Sequence, residues 1–222
     1  MWHDAALVAG KDLRIEGRSR VAINQIAPFA VLMLVLFAFA LDPDRGVLLA
    51  ATPGLYWISV LFCALLAVQR TFAIEATDGT RDALRMSGLD PGGIFLGKTA
   101  AVMVQLIALE ALLLVGVWIL YDADLGGLGL LFVTCVAATA GIAAAGTLYG
   151  VLAAGLRVRE TLLPLLLLPV LAPVLIASTR AFEAAMDGTP GEGWPWAGLL
   201  AGFALLYLVA GIFGFGPLLE ES

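Results

Sequence analysis

One acidic side chain lies deep within an apolar stretch of the sequence. Glu110 sits in the middle of the run from Ile94 to Tyr121. A charged group at that depth in a membrane costs about 2.5–3.5 kcal/mol on insertion scales, so Glu110 should face other helices or a polar cavity, where it can be protonated. Two interpretations stay open: a group on a substrate path, or an interhelical hydrogen bond with a partner such as Gln105, one turn away.

Other side chains that could do chemistry are few. Cys63 and Cys135 fall inside apolar runs without a C-x-x-C motif, which argues against a zinc site or covalent haem attachment. His3 is the only histidine, and near a chain terminus it is expected to face solvent rather than to ligate iron. No serine, histidine and acid set is present for nucleophilic catalysis. The chain is therefore expected to have no catalytic, cofactor or metal residues and not to be an enzyme by itself.

One segment matches a nucleotide-binding motif by its letters. Residues 92–99, GGIFLGKT, fit the expression G-x-x-x-x-G-K-[ST]. Phosphate binding needs a strand before this loop and a soluble helix after it, so that backbone N–H groups surround the phosphates. Here a short polar segment precedes the match and a long apolar run follows it. We therefore predict no nucleotide site, and interpret Lys98 as a basic anchor where the apolar run enters the membrane.

The composition indicates a membrane protein. Hydrophobic residues make up 61% of the 222 residues and charged residues only 14%, whereas soluble domains are roughly 45–50% apolar. A net charge of −6 argues against nucleic acid as a partner. The first twenty residues carry seven charges and lack a long apolar core, so no cleavable signal peptide is expected.

Six apolar runs reach the length of about 20 residues that a helix needs to cross a hydrocarbon core of about 30 Å. We predict an all-α membrane protein with one domain over 1–222 and spans at about 21–41, 49–68, 94–121, 125–156, 161–178 and 196–215. Three prolines in the fifth span predict a bent or partly broken helix. The glycines of the fourth span indicate either close helix packing or a hinge.

The positive-inside rule orients these spans. Ten Lys and Arg residues belong to the N-terminal segment, the loop after the second span with its flank, and the loop after the fourth span. The opposite side has only Arg45 and Arg180. We therefore predict that the N-terminus, the loop 69–93 and the C-terminus are cytoplasmic.

Two segments are not predicted to cross the membrane. Residues 1–20 place five apolar residues on one helical face, which is typical of an interfacial helix: Trp2, Ala5, Ala6, Ala9 and Leu13. Residues 77–90 indicate a short charged helix that Gly88 can end before Pro91. A charged cytoplasmic helix between two spans could receive force from a soluble motor. The alternative is an ordinary solvated loop.

Three motifs carry a resemblance to a known family. They are KDLRIEGRSR at 11–20, F-x-x-E-x-x-D-G-T at 72–80, and FLGK at 95–98. In this order and spacing the chain resembles the haem exporter protein B family (CcmB), the membrane subunit of the ABC transporter used in cytochrome c maturation. Glu75 replaces the usual Asp and Thr80 the usual Ser, and Arg81 stands where Leu is common.

The resemblance implies an ABC-2-type permease in a prokaryotic plasma (inner) membrane, paired as a homodimer, with haem as the cargo. ATP would be used by a separate CcmA-like subunit, and CcmC-like and CcmD-like subunits would be further partners. ATP could instead serve to release a haem-loaded chaperone from the CcmC-like subunit. On this basis the loop 69–93 would dock the ATPase. The residues predicted for this docking are Glu75, Asp78, Arg81 and Arg85 at the contact surface, with Phe72 and Gly79 shaping its approach.

Three other functions fit the same residues. The chain could be an ABC-2 permease for another cargo, such as a lipid or a drug. It could be a non-transporting scaffold that assembles haem-handling partners. It could also be a standalone proton-coupled carrier that uses Glu110.

Overall fold

A computed structural model describes residues 1–41, 45–77, 88–154 and 159–221. Within these ranges the regular structure is entirely helical, which confirms the predicted all-α class. A π-helical turn, Ala22–Ile26, leads into the second helix. The helices are α1 (Trp2–Ser19), α2 (Ala27–Leu41), α3 (Arg45–Thr77), α4 (Pro91–Leu120), α5 (Leu128–Ala154), α6 (Arg159–Met186) and α7 (Pro190–Glu221).

Six of these helices are long and apolar enough to cross a membrane, as the sequence predicted. Their candidate spans are Asn24–Leu41, Gly46–Ala73, Pro91–Leu120, Leu128–Ala153, Thr161–Met186 and Pro190–Leu219. We call the side of the membrane where α3 ends and α4 begins the basic side, because the chain's topology assigns most of its Lys and Arg residues to it.

Helix α3 extends well past the predicted second span. Its 33 residues measure about 50 Å at 1.5 Å per residue, against a hydrocarbon core of about 30 Å. The sequence places residues 69–77 in a loop because polar residues follow Val68, but this segment contains neither Gly nor Pro to end the helix. The first part of the predicted coupling loop is therefore a continuation of a span, up to Thr77.

Helices α6 and α7 are also longer than the predicted spans, and only residues 187–189 separate them. Arg180 pairs with Glu183 at 2.9 Å, which supports the helix beyond its apolar part. The turn is made by Gly188, whose φ is +71°, and the Thr189 N–H donates to the carbonyl of Ala184 at 3.0 Å. Helix α6 is continuous through its three prolines, so the expected break is absent from it.

Helix α5 lies at the centre of the bundle and packs on α3, α4, α6 and α7. Its glycines permit close approach. A Cβ added at Gly141 would lie 2.8 Å from the ring of Phe203, and one at Gly146 would lie 2.7 Å from Val68. This geometry favours the packing interpretation of these glycines over the hinge.

Helix α1 crosses the start of α4 at two glycines four residues apart. A Cβ at Gly93 would come within 2.8 Å of the carbonyl oxygen of Met1, and one at Gly97 within 2.6 Å of that of Ala5. Such a G-x-x-x-G pair lets two helix backbones approach closely. The predicted apolar face of α1 is divided, since Ala5 is buried against α4 while Trp2 is 75% exposed.

Candidate functional site

The segment that matches the nucleotide-binding expression lies entirely inside α4. Pro91 is the first residue of the helix, and the side chain of Asp90 caps it by accepting a hydrogen bond from the Gly93 N–H at 3.0 Å. Gly93 and Gly97 are covered by α1. The glycines of the motif therefore serve helix packing, and the motif forms no loop that could surround a phosphate.

Lys98 is buried, with 1% of its surface exposed. Its Nζ lies 3.7 Å from Oδ2 of Asp12 on α1 and 5.4 Å from the ring centroid of Phe72 on α3. The sequence predicted a basic anchor where the apolar run enters the membrane. The structure adds that the ammonium group is buried, because the close crossing of α1 over α4 brings a carboxylate to it.

A second ion pair and a capping contact hold α1 at the same end of the bundle. Nε of Arg70 on α3 donates to Oε2 of Glu16 on α1 at 3.2 Å. Near the start of α1, the backbone N–H of Asp90 donates to Asp4 at 3.4 Å. A hydrogen bond from the N-terminal ammonium group lowers the pKa of Asp4.

We call five of these residues the α1 clamp: Asp12, Glu16, Arg70, Phe72 and Lys98. They join α1 to α3 and α4 on the basic side. Helices on membrane surfaces are commonly held by apolar burial and by attraction to anionic lipids. Here two ion pairs and one cation–π contact add specificity to the position of α1.

Of the predicted docking residues, Phe72 is the one with a described side chain, and it is buried. It is 5% exposed, and its ring packs directly on Gly150 of α5. Phe72 therefore connects α3 to α5 and to Lys98 rather than presenting a surface to a partner. The remaining docking predictions lie outside the described residues or side chains: Glu75, Asp78, Gly79, Arg81 and Arg85.

Glu110 joins three helices near the middle of the bundle. It is 2% exposed, and its carboxyl group accepts a hydrogen bond from the hydroxyl of Thr139 on α5. The hydroxyl of Tyr56 on α3 donates to the backbone carbonyl of Glu110 at 3.3 Å. The same hydroxyl lies 3.7 Å from Sγ of Cys135 on α5. We call these four residues the Glu110 cluster.

The interhelical hydrogen bond expected for Glu110 is present, but its partner is Thr139 rather than Gln105. Residues 105 and 110 are five positions apart, which is about 140° around an α-helix, so their side chains point in different directions. Gln105 is half-buried. The sequence offered no signal for Thr139, because a threonine in an apolar span most often bonds within its own helix.

Known proteins are similar to this chain over nearly its whole length. A family model described as "CcmB protein" matches residues 4–222. "Heme exporter protein B" of Bradyrhizobium diazoefficiens is 28% identical over 213 residues, covering 95% of this chain and 92% of the relative. The protein of the same name from Haemophilus influenzae is 29% identical, covering 86% and 84%. That from Shigella flexneri is 30% identical, covering 88% and 90%.

Proposed function

The chain belongs to the CcmB family, and from this membership we propose that it is the membrane permease subunit of a haem-exporting ABC transporter. The observation that carries the proposal is the family match over residues 4–222, which includes all six candidate spans. The relatives are named for haem export and are matched over most of their own length. Haem is accordingly the proposed cargo.

We propose that ATP hydrolysis is supplied by a separate CcmA-like chain. In the described residues, the segment that matches the P-loop expression is a buried helix under α1. A transporter built on this chain would need a soluble partner that binds nucleotide. That partner must reach the permease from the cytoplasm, which we propose is the basic side.

The proposed docking segment is residues 69–93, with Glu75, Asp78, Gly79, Arg81 and Arg85 as the docking residues. Support comes from the helices on either side. Helix α3 continues without a break to Thr77, and α4 begins at Pro91. A force applied to this segment would act on the ends of two spans, because one span leads into it and the next begins at its end.

We propose that the α1 clamp makes this region move as one unit. Helix α1 is bonded to α3 through Glu16 and Arg70 and to α4 through Asp12 and Lys98. Phe72 belongs to this unit as an internal contact. Movement of the ends of α3 and α4 would therefore carry α1 with them.

The docking proposal is tested with the double charge reversal Asp78→Lys and Arg85→Glu. We expect loss of most ATPase-subunit binding in a pull-down from membranes, together with loss of ATPase stimulation. The matched control reverses a pair on the opposite side, Arg180→Glu with Glu183→Arg, which preserves their ion pair. Undiminished binding and ATPase activity in the first variant would overturn the docking proposal.

The remaining partners are proposed on the same premise. They are a second copy of this chain, a CcmC-like haem-handling subunit and a CcmD-like small subunit, in a prokaryotic inner membrane with both termini cytoplasmic. A deletion strain tests the cargo. Loss of c-type cytochromes, restored by this chain, is the expected result, whereas normal c-type cytochromes would point to another cargo.

A further inference from the structure

A lateral cavity of about 810 Å³ lies on the basic side of the bundle. Four helix ends surround it: the first residues of α2 and of α6, and the last residues of α3 and of α5. Its volume lies within the range of about 300–1,000 Å³ that is usual for ligand sites. Phe29 and Phe62 meet edge to face on one wall, with their centroids 6.5 Å apart. Gly150 and Ala153 of α5, both small, belong to another wall, where the ring of Phe72 packs on Gly150.

The lining is polar at one end only. Along α3 the cavity runs from Phe62 to Ala73, which is about 16 Å at 1.5 Å per residue and about half of a 30 Å hydrocarbon core. The described polar lining residues are Gln25, Gln69 and Arg70, and they lie toward the basic-side end. The cavity therefore has the length and polarity of a single membrane leaflet.

The lining chemistry does not suit haem. Proteins hold haem iron through His, Cys, Met or Tyr side chains. None of these is found among the described lining residues. A ligand for this cavity needs an apolar chain and a polar end, and it does not need a metal ligand.

We propose that the cavity binds an anionic phospholipid of the leaflet on the basic side. An acyl chain would lie along Phe62 and Leu66, and the phosphate would meet Arg70 and Gln25. Nε of Arg70 is bonded to Glu16, but a guanidinium group has four further N–H donors on its terminal nitrogens. Guanidinium and phosphate groups form strong paired hydrogen bonds.

Arg70 sets the strength of the preference for an anionic headgroup, because it is the one basic residue among the described lining residues. Each Lys or Arg near a membrane surface attracts anionic lipid. Because Glu16 neutralises part of the charge of Arg70, we expect a preference of about fivefold rather than of orders of magnitude.

This role goes beyond haem export. Phe72 and Arg70 both line the cavity and belong to the α1 clamp. A bound lipid would therefore touch the unit that joins α1 to the ends of α3 and α4, and lipid composition would tune the position of α1.

The test places the full-length chain in nanodiscs that contain a photoreactive phosphatidylglycerol in phosphatidylcholine. Peptide mass spectrometry then locates the cross-links. We expect residues 21–29 and 62–73 to be labelled about fivefold more than the exposed outer faces of α4 and α7, and photoreactive phosphatidylcholine to give no such preference. Even labelling along all helices, or equal labelling by both lipids, would overturn the proposal.

Two variants that each add one negative charge test whether the site is specific, one at the mouth of the cavity and one on α1. Gln25 is exposed, so Gln25→Glu should lower phosphatidylglycerol labelling about fivefold without disturbing the fold. Gly17→Glu makes the same charge change on the exposed part of α1, where an added side chain meets open space, and should leave labelling near its original level. Equal loss in both variants would indicate general surface charge and would contradict a specific site.

Two other occupants would also overturn the proposal. Efficient disulfide cross-linking between copies carrying Leu66→Cys would show a second copy of this chain in the cavity. Displacement of the photoreactive lipid by added haem would show a cargo site. The assay contains neither ATPase nor cargo in its main arm, so failure of the lipid proposal leaves the haem-export proposal standing.

Discussion

Two buried ionisable side chains on α4 are stabilised in different ways. Lys98 and Glu110 are 1% and 2% exposed, and their separation of twelve positions corresponds to about 18 Å along the helix. Lys98 lies beside the opposite charge of Asp12 and the ring of Phe72. The carboxyl group of Glu110 meets the hydroxyl of Thr139, and no ion pair to it occurs among the described residues.

This difference follows from position in the bundle. Near the basic side, α1 can supply a carboxylate because it packs across the outside of α4. In the middle of the spans, the neighbouring helices supply hydroxyl, phenol and thiol groups. Removing one member of a buried ion pair costs about 3–5 kcal/mol, whereas interhelical hydrogen bonds in membranes are worth about 0.6–2 kcal/mol. The α1 clamp should therefore be more sensitive to single substitutions than the Glu110 cluster.

The largest effect is expected for Asp12→Leu. It removes the carboxylate of Asp12 from beside the buried ammonium group of Lys98, and we expect a loss of about 3–5 kcal/mol in the free energy of unfolding. Thermal melting in detergent measures it. The exchange of the pair, Asp12→Lys with Lys98→Asp, should recover part of the loss, and strictly additive effects in this double-mutant cycle would contradict a direct interaction.

A smaller effect is expected for Gly97→Val. The new side chain would meet the Ala5 carbonyl and Val8, so α1 must move away from α4, at a cost of about 1–3 kcal/mol. Labelling of a cysteine at Ala5, which is buried, should become faster. Gly198→Ala in α7 is the control because an added Cβ there meets nothing within 4 Å. Unchanged labelling in the Gly97 variant would mean that the glycine crossing does not hold α1.

Thr139→Val should cost about 1 kcal/mol, because it removes the hydroxyl that bonds Glu110 and keeps the side chain's shape. Glu110→Gln should cost less, since an amide oxygen can accept the same hydrogen bond. Melting temperatures measured in one detergent rank the stability losses of the two variants. A loss for Glu110→Gln as large as that for Asp12→Leu would break the comparison, since it would show that Glu110 depends on its negative charge.

The smallest effect is expected for Gln105→Ala. Gln105 is half-buried, and the hydrogen bond of the Glu110 carboxyl group is made by Thr139. We expect a change within about 0.5 kcal/mol, as for most substitutions away from packed or bonded sites. A coupling energy above 0.5 kcal/mol between Gln105→Ala and Glu110→Gln would restore the interaction that the sequence suggested.

The class of fold could be predicted because it depends on local composition. A run of about 20 apolar residues has few alternatives to a spanning helix, and each of the six runs forms one. The predicted end of the second span lies earlier than the end of α3, because polar residues after Val68 suggest a loop. Nothing in 69–77 breaks a helix, and α3 continues to Thr77. Polarity locates the membrane surface, and helix ends depend on turn residues such as Gly188.

The contacts of the candidate site could not be predicted in the same way. Burial of Lys98 depends on α1, which lies about 86 positions earlier in the chain. The bond between Glu110 and Thr139 depends on the rotation of α4 against α5. Both are products of tertiary packing, and neither spacing nor periodicity within one segment carries that information.

The separation of Asp12 and Lys98 along the chain has a consequence for biosynthesis. Helix α1 is made first, but its binding surface on α4 does not exist until residues near 98 have been added. At about 5–20 residues per second, synthesis of the intervening chain takes roughly 4–17 s. During that interval α1 needs a temporary location, and its exposed Trp2 suits it to the membrane surface. Closure of the α1 clamp can thus occur only after the first two spans have been made and the third has begun.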